Sequence, residues 1–187
     1  DSRPAGAPLV TRHPEYGRVY NIGSAEDVMA MVEAEDMLVF MPHPRTKGST
    51  GYPDAVRDSP AFLSDRYRGV GWRWGMGSDL SERRHSEFRV IPLHDDMNNW
   101  IAGTGLRPKS LLAITETYAK EPGDDVYANG PVTYLRLDRL PPLGEYGPIV
   151  DVLERGDYFV TSGEVLIPQT RVEGDGPDAR VVATVEW

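Results

Sequence analysis

Apolar and polar residues alternate along the chain in a way that predicts short helices and strands in turn. Apolar residues at helical spacing predict a helix over 25–35, which Ser24 would cap. The continuous apolar run over 37–41 predicts a buried strand, and Pro42 ends it. A helix followed by a buried strand is typical of a parallel sheet, so this part of the chain indicates an α/β fold.

The rest of the chain continues this pattern, with turn residues between the apolar segments. It predicts strands over 17–22, 88–93 and 132–137, helices over 62–68, 109–120 and 149–155, and a turn region rich in Gly and Trp over 70–79. The segments 158–161 and 164–167 flank a Ser-Gly turn, which predicts a hairpin or a strand-turn-strand. The segments 171–173 and 181–187 flank a Gly-Asp-Gly-Pro turn, which predicts an antiparallel hairpin.

Composition restricts the kind of protein and the kind of site. The 187 residues are 40% hydrophobic and include nine Tyr, four Trp and four Phe, which is enough apolar surface for a folded core. The formal charge of -9 argues against nucleic acid as a partner, since binding a polyanion needs a basic face. The chain has no cysteine, which excludes disulfides, thiolate zinc ligands and cysteine nucleophiles. No apolar run reaches the length of a membrane span.

His43 is the first candidate for chemistry. It follows the predicted strand over 37–41 and has a proline on each side, so we expect it to be held rigidly at the strand's carboxyl end. The α/β folds bind ligands at that end of their strands, and a metal ligand needs such preorganisation. The alternative is a histidine that only hydrogen-bonds its own loop. Arg45 and Lys47 follow, where they would bind an anionic group of a substrate or, alternatively, form part of an ordinary exposed loop.

A second group of candidate residues follows the predicted strand over 88–93. His94, Asp95 and Asp96 put an imidazole beside two carboxylates, a set that suits a divalent cation or paired acid–base chemistry. The alternative is a helix N-terminus, in which Asp and Asn side chains accept hydrogen bonds from backbone N–H groups. Asp79, in a Gly-Ser-Asp turn, is a further candidate carboxylate.

An ordered series of segments carries a family resemblance. The strand and His-Pro-Arg element over 38–45 are followed along the chain by four further segments, which are 47–54, 79–81, 93–100 and 157–167. The series resembles the PHP (polymerase and histidinol phosphatase) superfamily of metallohydrolases, and most closely its carbaryl-hydrolase-like branch. The segments are spread over most of residues 13–168, so the resemblance rests on more than one short motif.

The resemblance implies a distorted β/α barrel of the PHP type that hydrolyses a phosphoester, amide or carbamate bond of a small molecule. Two or three divalent cations (Zn, Mn or Fe) would be held by His, Asp and Glu at the carboxyl ends of the strands, and would activate a water molecule. Carried over to this chain, it makes His43 a metal ligand. Asp79, Asp95 and Asp96 are further expected ligands, with His94 beside them.

Two metal motifs of the superfamily are absent from the chain, the opening His-x-His pair and the closing Asp-x-His. We therefore expect 1–168 to be the C-terminal portion of a PHP-like domain whose first ligands precede Asp1. The segment 169–187 would then begin a small antiparallel β unit. A secreted or periplasmic origin is compatible with a chain that does not begin with Met.

Two other functions are compatible with the same residues. One is a non-catalytic PHP-like binding module that has lost the full metal set, and with it the divalent metal. The other is a metal-free hydrolase that acts on a sugar with two of the carboxylates Asp79, Asp95, Asp96 and Glu164. That second mechanism needs two carboxyl groups about 5–10 Å apart across one cleft.

Overall fold

The structure is a computed structural model that describes residues 3, 6–42, 57–72, 90–114, 131–161 and 165–187. Contacts between Cα atoms divide the chain into two compact units. The first unit comprises Asp1–Val70 and Ser86–Ser110, and the second comprises Gly71–His85 and Leu111–Trp187. We describe each unit by itself.

The first unit opens with a hairpin and a helix. Strands β1 (Val10–His13) and β2 (Gly17–Tyr20) pair in antiparallel fashion, and helix α1 (Ala25–Ala34) follows. The Ser24 hydroxyl accepts a hydrogen bond from the Asp27 backbone N–H at 3.1 Å, which satisfies one of the N–H groups that a helix start leaves unpaired. The predicted strand over 17–22, the predicted helix over 25–35 and its cap are confirmed.

A parallel pair of strands follows in the same unit. Strand β3 (Val39–Met41) pairs in parallel with β4 (Tyr67–Trp72), so that Val39 lies opposite Tyr67 and Met41 opposite Val70. The buried strand predicted over 37–41 is confirmed in its last three residues. Between the two strands lies the short helix α2 (Pro60–Leu63), which Ser59 caps.

The sequence prediction was wrong over 62–68 and over the start of 70–79. The helix predicted over 62–68 ends at Leu63, because the chain turns at Ser64 and enters β4, whose first four residues are all buried. The sheet has the strand order β3-β4-β5, where β5 is Ser110–Ala113. Gly69 allows close approach of the backbones, since a Cβ there would lie 1.8 Å from the Ser110 carbonyl oxygen.

Two predicted elements have the opposite secondary structure. Helix α3 (Val90–Ile101) replaces the strand predicted over 88–93, because Leu93, Met97 and Ile101, at a spacing of four, are all buried on one helix face. The helix predicted over 109–120 is wrong in its first part, where Ser110–Ala113 form strand β5, and 115–120 lie outside the described residues. Helix α3 contributes to the core of the first unit, whose buried apolar residues are Met29, Val32, Phe62, Tyr67, Val70, Leu93, Met97 and Ile101.

The second unit contains a helix between two paired strands. Strands β6 (Val132–Leu135) and β7 (Tyr158–Thr161) are antiparallel, and helix α4 (Gly147–Arg155) connects them. Gly156 ends the helix with a φ of 72°, a left-handed conformation that glycine adopts without strain. The predicted strand over 132–137, the helix over 149–155 and the glycine that ends it are confirmed.

The described part of the second unit ends in a hairpin. Strands β8 (Leu166–Glu173) and β9 (Arg180–Glu186) are antiparallel and are joined through a 3₁₀ turn at Gly176–Asp178. This confirms the hairpin predicted from 171–173 and 181–187. Of the two alternatives for 158–161 and 164–167, the hairpin is wrong, because β7 pairs with β6 and β8 pairs with β9. The two successive strands themselves are present, as β7 and the start of β8.

The described residues have the mixed α/β content that the sequence predicts. Their sheets have two or three strands each, and none of them closes into a barrel within the described ranges. Among these same residues, no helix has both the length and the apolar character needed to cross a membrane.

Candidate functional site

Helix α3 presents His94 and Asn98, one turn apart, to the backbone at Lys109. The Asn98 side chain makes two hydrogen bonds to the backbone of Lys109. Its Oδ1 accepts a hydrogen bond from the Lys109 N–H at 2.8 Å, and its Nδ2 donates one to the Lys109 carbonyl oxygen at 3.1 Å. The same Nδ2 also donates to the His94 carbonyl at 2.9 Å. The Asn98 amide thus pairs with the Lys109 backbone as a peptide group would, and it connects α3 to the residue that precedes β5.

The Lys109 carbonyl also fixes the tautomer of His94. Its oxygen lies 3.0 Å from His94 Nε2, and since a carbonyl only accepts hydrogen bonds, Nε2 carries the proton. The other ring nitrogen, Nδ1, lies 3.6 Å from Oδ1 of Asp95. A histidine that ligates a metal is held in the same way, with one nitrogen donating to a carbonyl and the other left available.

The Lys109 ammonium lies inside the first unit. The residue is 2% exposed, and its Nζ donates to the carbonyls of Ser64 at 3.0 Å and Tyr67 at 2.7 Å. The rings of Phe62 and Tyr67 lie 5.1 and 5.4 Å from Nζ, within the range of a cation–π contact. The ammonium therefore joins the turn between α2 and β4 to the start of β5.

Burial shifts the pKa values of Lys109 and Tyr67. It lowers the pKa of Lys109 to about 8, an effect that the nearby Arg68 guanidinium strengthens and Asp65 opposes. Burial also raises the pKa of the Tyr67 phenol. The Tyr67 hydroxyl has no hydrogen-bond partner among the described residues. With almost no exposed surface, Lys109 supports the structure and has no access to a substrate.

The candidate carboxylates on α3 do not share one site. Asp95 and Asp96 are consecutive on a helix, so their Cβ directions differ by about 100°. The Asp95 side chain is 72% exposed. The carboxyl groups of Asp95 and Asp96 therefore do not face each other across a cleft, which the metal-free sugar hydrolase would require. Glu164 and Asp79, the other two carboxylates of that hypothesis, lie outside the described residues.

We tested whether the described residues fit a metal ion. They contain no group of three or more His, Asp or Glu side chains that could hold one. His94 Nδ1 and Asp95 Oδ1 make a pair of potential donors, which is one short of the smallest protein ligand set of a catalytic zinc site. The described residues alone therefore do not fit the metal centre that the resemblance implies. His43, Arg45, Lys47 and Asp79 lie outside the described residues.

The sequence did not point to Lys109 or Asn98. Lys109 follows Pro108, and the sequence predicts the first turn of a helix there, where a lysine is normally exposed. Asn98 belongs to the polar segment after 88–93, but its role depends on a segment eleven residues away. The spacing of four between His94 and Asn98 is the one signal in the sequence that could have indicated a shared helix face.

The second unit contains an open cleft of about 380 Å³ that the sequence did not predict. Its charged lining includes both signs and consists of Arg136, Asp138, Arg139, Glu145, Asp151, Arg155 and Asp157. Arg136 lies 3.9 Å from Asp157, with most of its side chain exposed. Because both signs line the cleft, it has no evident preference for an anion or a cation.

The chain was compared with protein-family models, with curated proteins and with solved structures. No family model, no curated protein and no solved structure matches it.

Proposed function

We propose that the protein is a PHP-like hydrolase that cleaves a phosphoester, amide or carbamate bond of a small molecule and depends on a divalent metal. The observation that carries this proposal is the parallel pairing of β3 with β4. Parallel strands place their carboxyl ends at one edge of a sheet, which is where α/β folds bind ligands. Met41 is the last residue of β3, and His43 follows it by two positions in the sequence.

The His94–Asp95 pair gives the proposal a second, weaker support. Two ligands bound at about 2.1 Å to one cation lie about 3.0–3.5 Å apart. The 3.6 Å between His94 Nδ1 and Asp95 Oδ1 is close to this separation, and the Lys109 carbonyl holds the ring in the tautomer that a ligand needs. The resemblance implies His43 and Asp79 as further ligands, whereas Asp96 points away from Asp95 on α3 and is not proposed for the same cation. Arg45 and Lys47 are proposed to bind the anionic part of the substrate.

Metal analysis combined with an esterase assay tests the proposal. The full natural chain is purified, its Zn, Mn and Fe content is measured by plasma mass spectrometry, and hydrolysis of p-nitrophenyl phosphate esters is followed with and without added Mn²⁺ or Zn²⁺. We expect bound metal and metal-stimulated turnover. Protein without bound metal and without metal-stimulated turnover would contradict the hydrolase.

Two histidine variants make the residue assignment testable. His43→Ala is expected to lower metal content and to reduce turnover by at least about 100-fold. His13→Ala is the matched control, because His13 also precedes a proline but accepts hydrogen bonds from the Glu15 and Tyr16 N–H groups through Nδ1. If His43→Ala and His13→Ala leave the same metal content and activity, His43 is not a ligand.

A non-catalytic binding module is the second candidate function. This candidate predicts that p-nitrophenyl phosphate binds and raises the melting temperature while no product forms. Product formation that metal stimulates would exclude it.

A further inference from the structure

The β8–β9 hairpin has one apolar face that no described residue covers. Side chains alternate between the faces of a strand, so Val181, Ala183 and Val185 share one face of β9. Val172 of β8 lies opposite Val181 and therefore joins them. Val172, Val181 and Val185 are 68%, 77% and 44% exposed. The other face is mainly charged or polar and includes Arg171, Glu173, Arg180, Thr184 and Glu186.

We propose that β9 is the pairing edge of a symmetric dimer, in which two copies of this chain join their β9 strands antiparallel about Ala183. The dimer would contain a continuous four-stranded sheet with the order β8-β9-β9-β8. Within the described residues β9 pairs with β8 alone, so its second edge offers unpaired backbone N–H and C=O groups. This proposal is independent of the proposed function.

The sequence of β9 complements itself in this arrangement. Antiparallel pairing about Ala183 puts Arg180 opposite Glu186 of the second copy, and Glu186 opposite Arg180 of the second copy. Opposite charges that face each other across an antiparallel pair stabilise it, and here the symmetry axis makes each such pair twice. The charges at the two ends of β9 thus favour this register over a shift by one or two residues.

In the same register, the residue pairs between the two ends of β9 match in character on both faces of the sheet. Val181 lies opposite Val185 of the second copy, which extends the apolar face across the axis, while Val182 lies opposite Thr184 on the other face. Ala183 lies opposite itself and leaves room for close approach at the axis. A row of valines then runs from Val172 through Val181 to Val185 of the second copy.

The edge of β8 does not offer an equivalent surface. Pro168 lies within β8 and lacks the N–H group that an added strand would need. Strand β9 has neither proline nor glycine among its seven residues. A two-stranded hairpin is marginally stable in water, whereas four strands with an apolar face form a more stable sheet. The difference between the two edges identifies β9 as the one available for pairing.

Charge reversal tests the register directly. The dissociation constant of the dimer is measured by analytical ultracentrifugation of the full natural chain over about 0.1–100 μM, a range that spans typical specific affinities. R180E and E186R each place like charges opposite each other twice, so each is expected to raise the dissociation constant at least about 10-fold. The double variant R180E/E186R restores opposite charges across the axis, although the carboxylate at position 180 then faces Glu173 of β8. It is expected to lower the dissociation constant at least about 3-fold from that of either single variant.

The matched control is R171E, which changes the net charge by the same amount on β8. It is expected to leave the dissociation constant within about 3-fold of the natural value. Circular dichroism of each variant reports whether the fold is retained, and amide hydrogen exchange of β9 is expected to slow on dimerisation. A monomer over the whole range, a dimer that R180E and E186R do not weaken, or a double variant that fails to recover would each overturn the proposal.

Discussion

Lys109 in the first unit and Arg180 in the β8–β9 hairpin are both cationic, but their surroundings differ in every respect. Lys109 is 2% exposed, and both its Nζ and its backbone are hydrogen-bonded by the residues around it. Arg180 begins a strand in which every residue except Val182 is exposed. The first cation is held by the fold, whereas the second lies on an exposed strand, opposite Glu173 of β8.

The difference shows how the environment decides what a polar contact contributes. Around Lys109, water is excluded, so an unpaired donor or acceptor carries its full desolvation cost. On the hairpin, water replaces any contact that is lost, and charge mainly determines which strand can pair with which. Variants in the two regions should therefore differ strongly in their effect on stability, even where the contacts have similar lengths.

The largest difference is expected between two apolar truncations. Met97→Ala removes a side chain that is 0% exposed and leaves a cavity, which should lower the free energy of unfolding by about 2–5 kcal/mol. Val181→Ala, at a site that is 77% exposed, should change it by less than about 0.5 kcal/mol. Urea unfolding of both variants measures the two values. Equal losses would mean that the hairpin is as well packed as the core.

The titration of Lys109 gives the next largest effect. Its pKa is lowered to about 8 in the folded state, so the unfolded chain binds more protons above that pH and stability must rise with pH. Between pH 8 and pH 10 the rise should reach about 2 kcal/mol. Urea unfolding across this range is expected to show the rise in the natural protein and to lose it in Lys109→Met.

Tyr67 provides the control for that experiment. Burial raises the pKa of its phenol, so only the unfolded chain loses this proton near pH 10, and stability falls there for a reason unrelated to Lys109. In Tyr67→Phe the fall should disappear while the rise from pH 8 remains. A rise that persists in Lys109→Met would assign it to another group.

Removing the Asn98 side chain, which is hydrogen-bonded to the Lys109 backbone, should change the free energy of unfolding by a smaller amount. Asn98→Ala leaves the Lys109 N–H without its acceptor, while His94 still donates to the Lys109 carbonyl. The expected loss is about 1–2 kcal/mol, in the lower part of the range for an orphaned donor because the site is only partly buried. Asn99→Ala, at the exposed neighbouring position, is the matched control and should change stability by less than about 0.5 kcal/mol.

The fold could be predicted where local chemistry determines it. Ser24 and the apolar spacing after it specify α1, and Gly156 marks the end of α4, because a cap or a left-handed turn depends on one or two neighbouring residues. The apolar run that ends at Leu93 predicts a strand when it is taken alone, because its helical period becomes visible only when Met97 and Ile101 are included. The segment forms a helix because this buried face packs in the core of the first unit.

The candidate site was less predictable for the same physical reason. His94 could be identified from its residue type, but its tautomer depends on the carbonyl of Lys109, fifteen residues away. Nothing in the sequence distinguishes Lys109 from an exposed lysine, because its burial requires the carbonyls of Ser64 and Tyr67. Such long-range contacts leave no local pattern.

The smallest effect should come from the ion pair on the hairpin. Arg171 Nε lies 2.7 Å from Glu173 Oε1, the same length as the bond from Lys109 Nζ to the Tyr67 carbonyl. Half or more of each side chain of the ion pair is exposed, so Glu173→Ala should lower the free energy of unfolding by less than about 0.5 kcal/mol, as urea unfolding at low protein concentration would show. A loss as large as that of Asn98→Ala would mean that the hairpin is covered in solution, because bond length is equal in the two regions and only exclusion of water could account for the added cost.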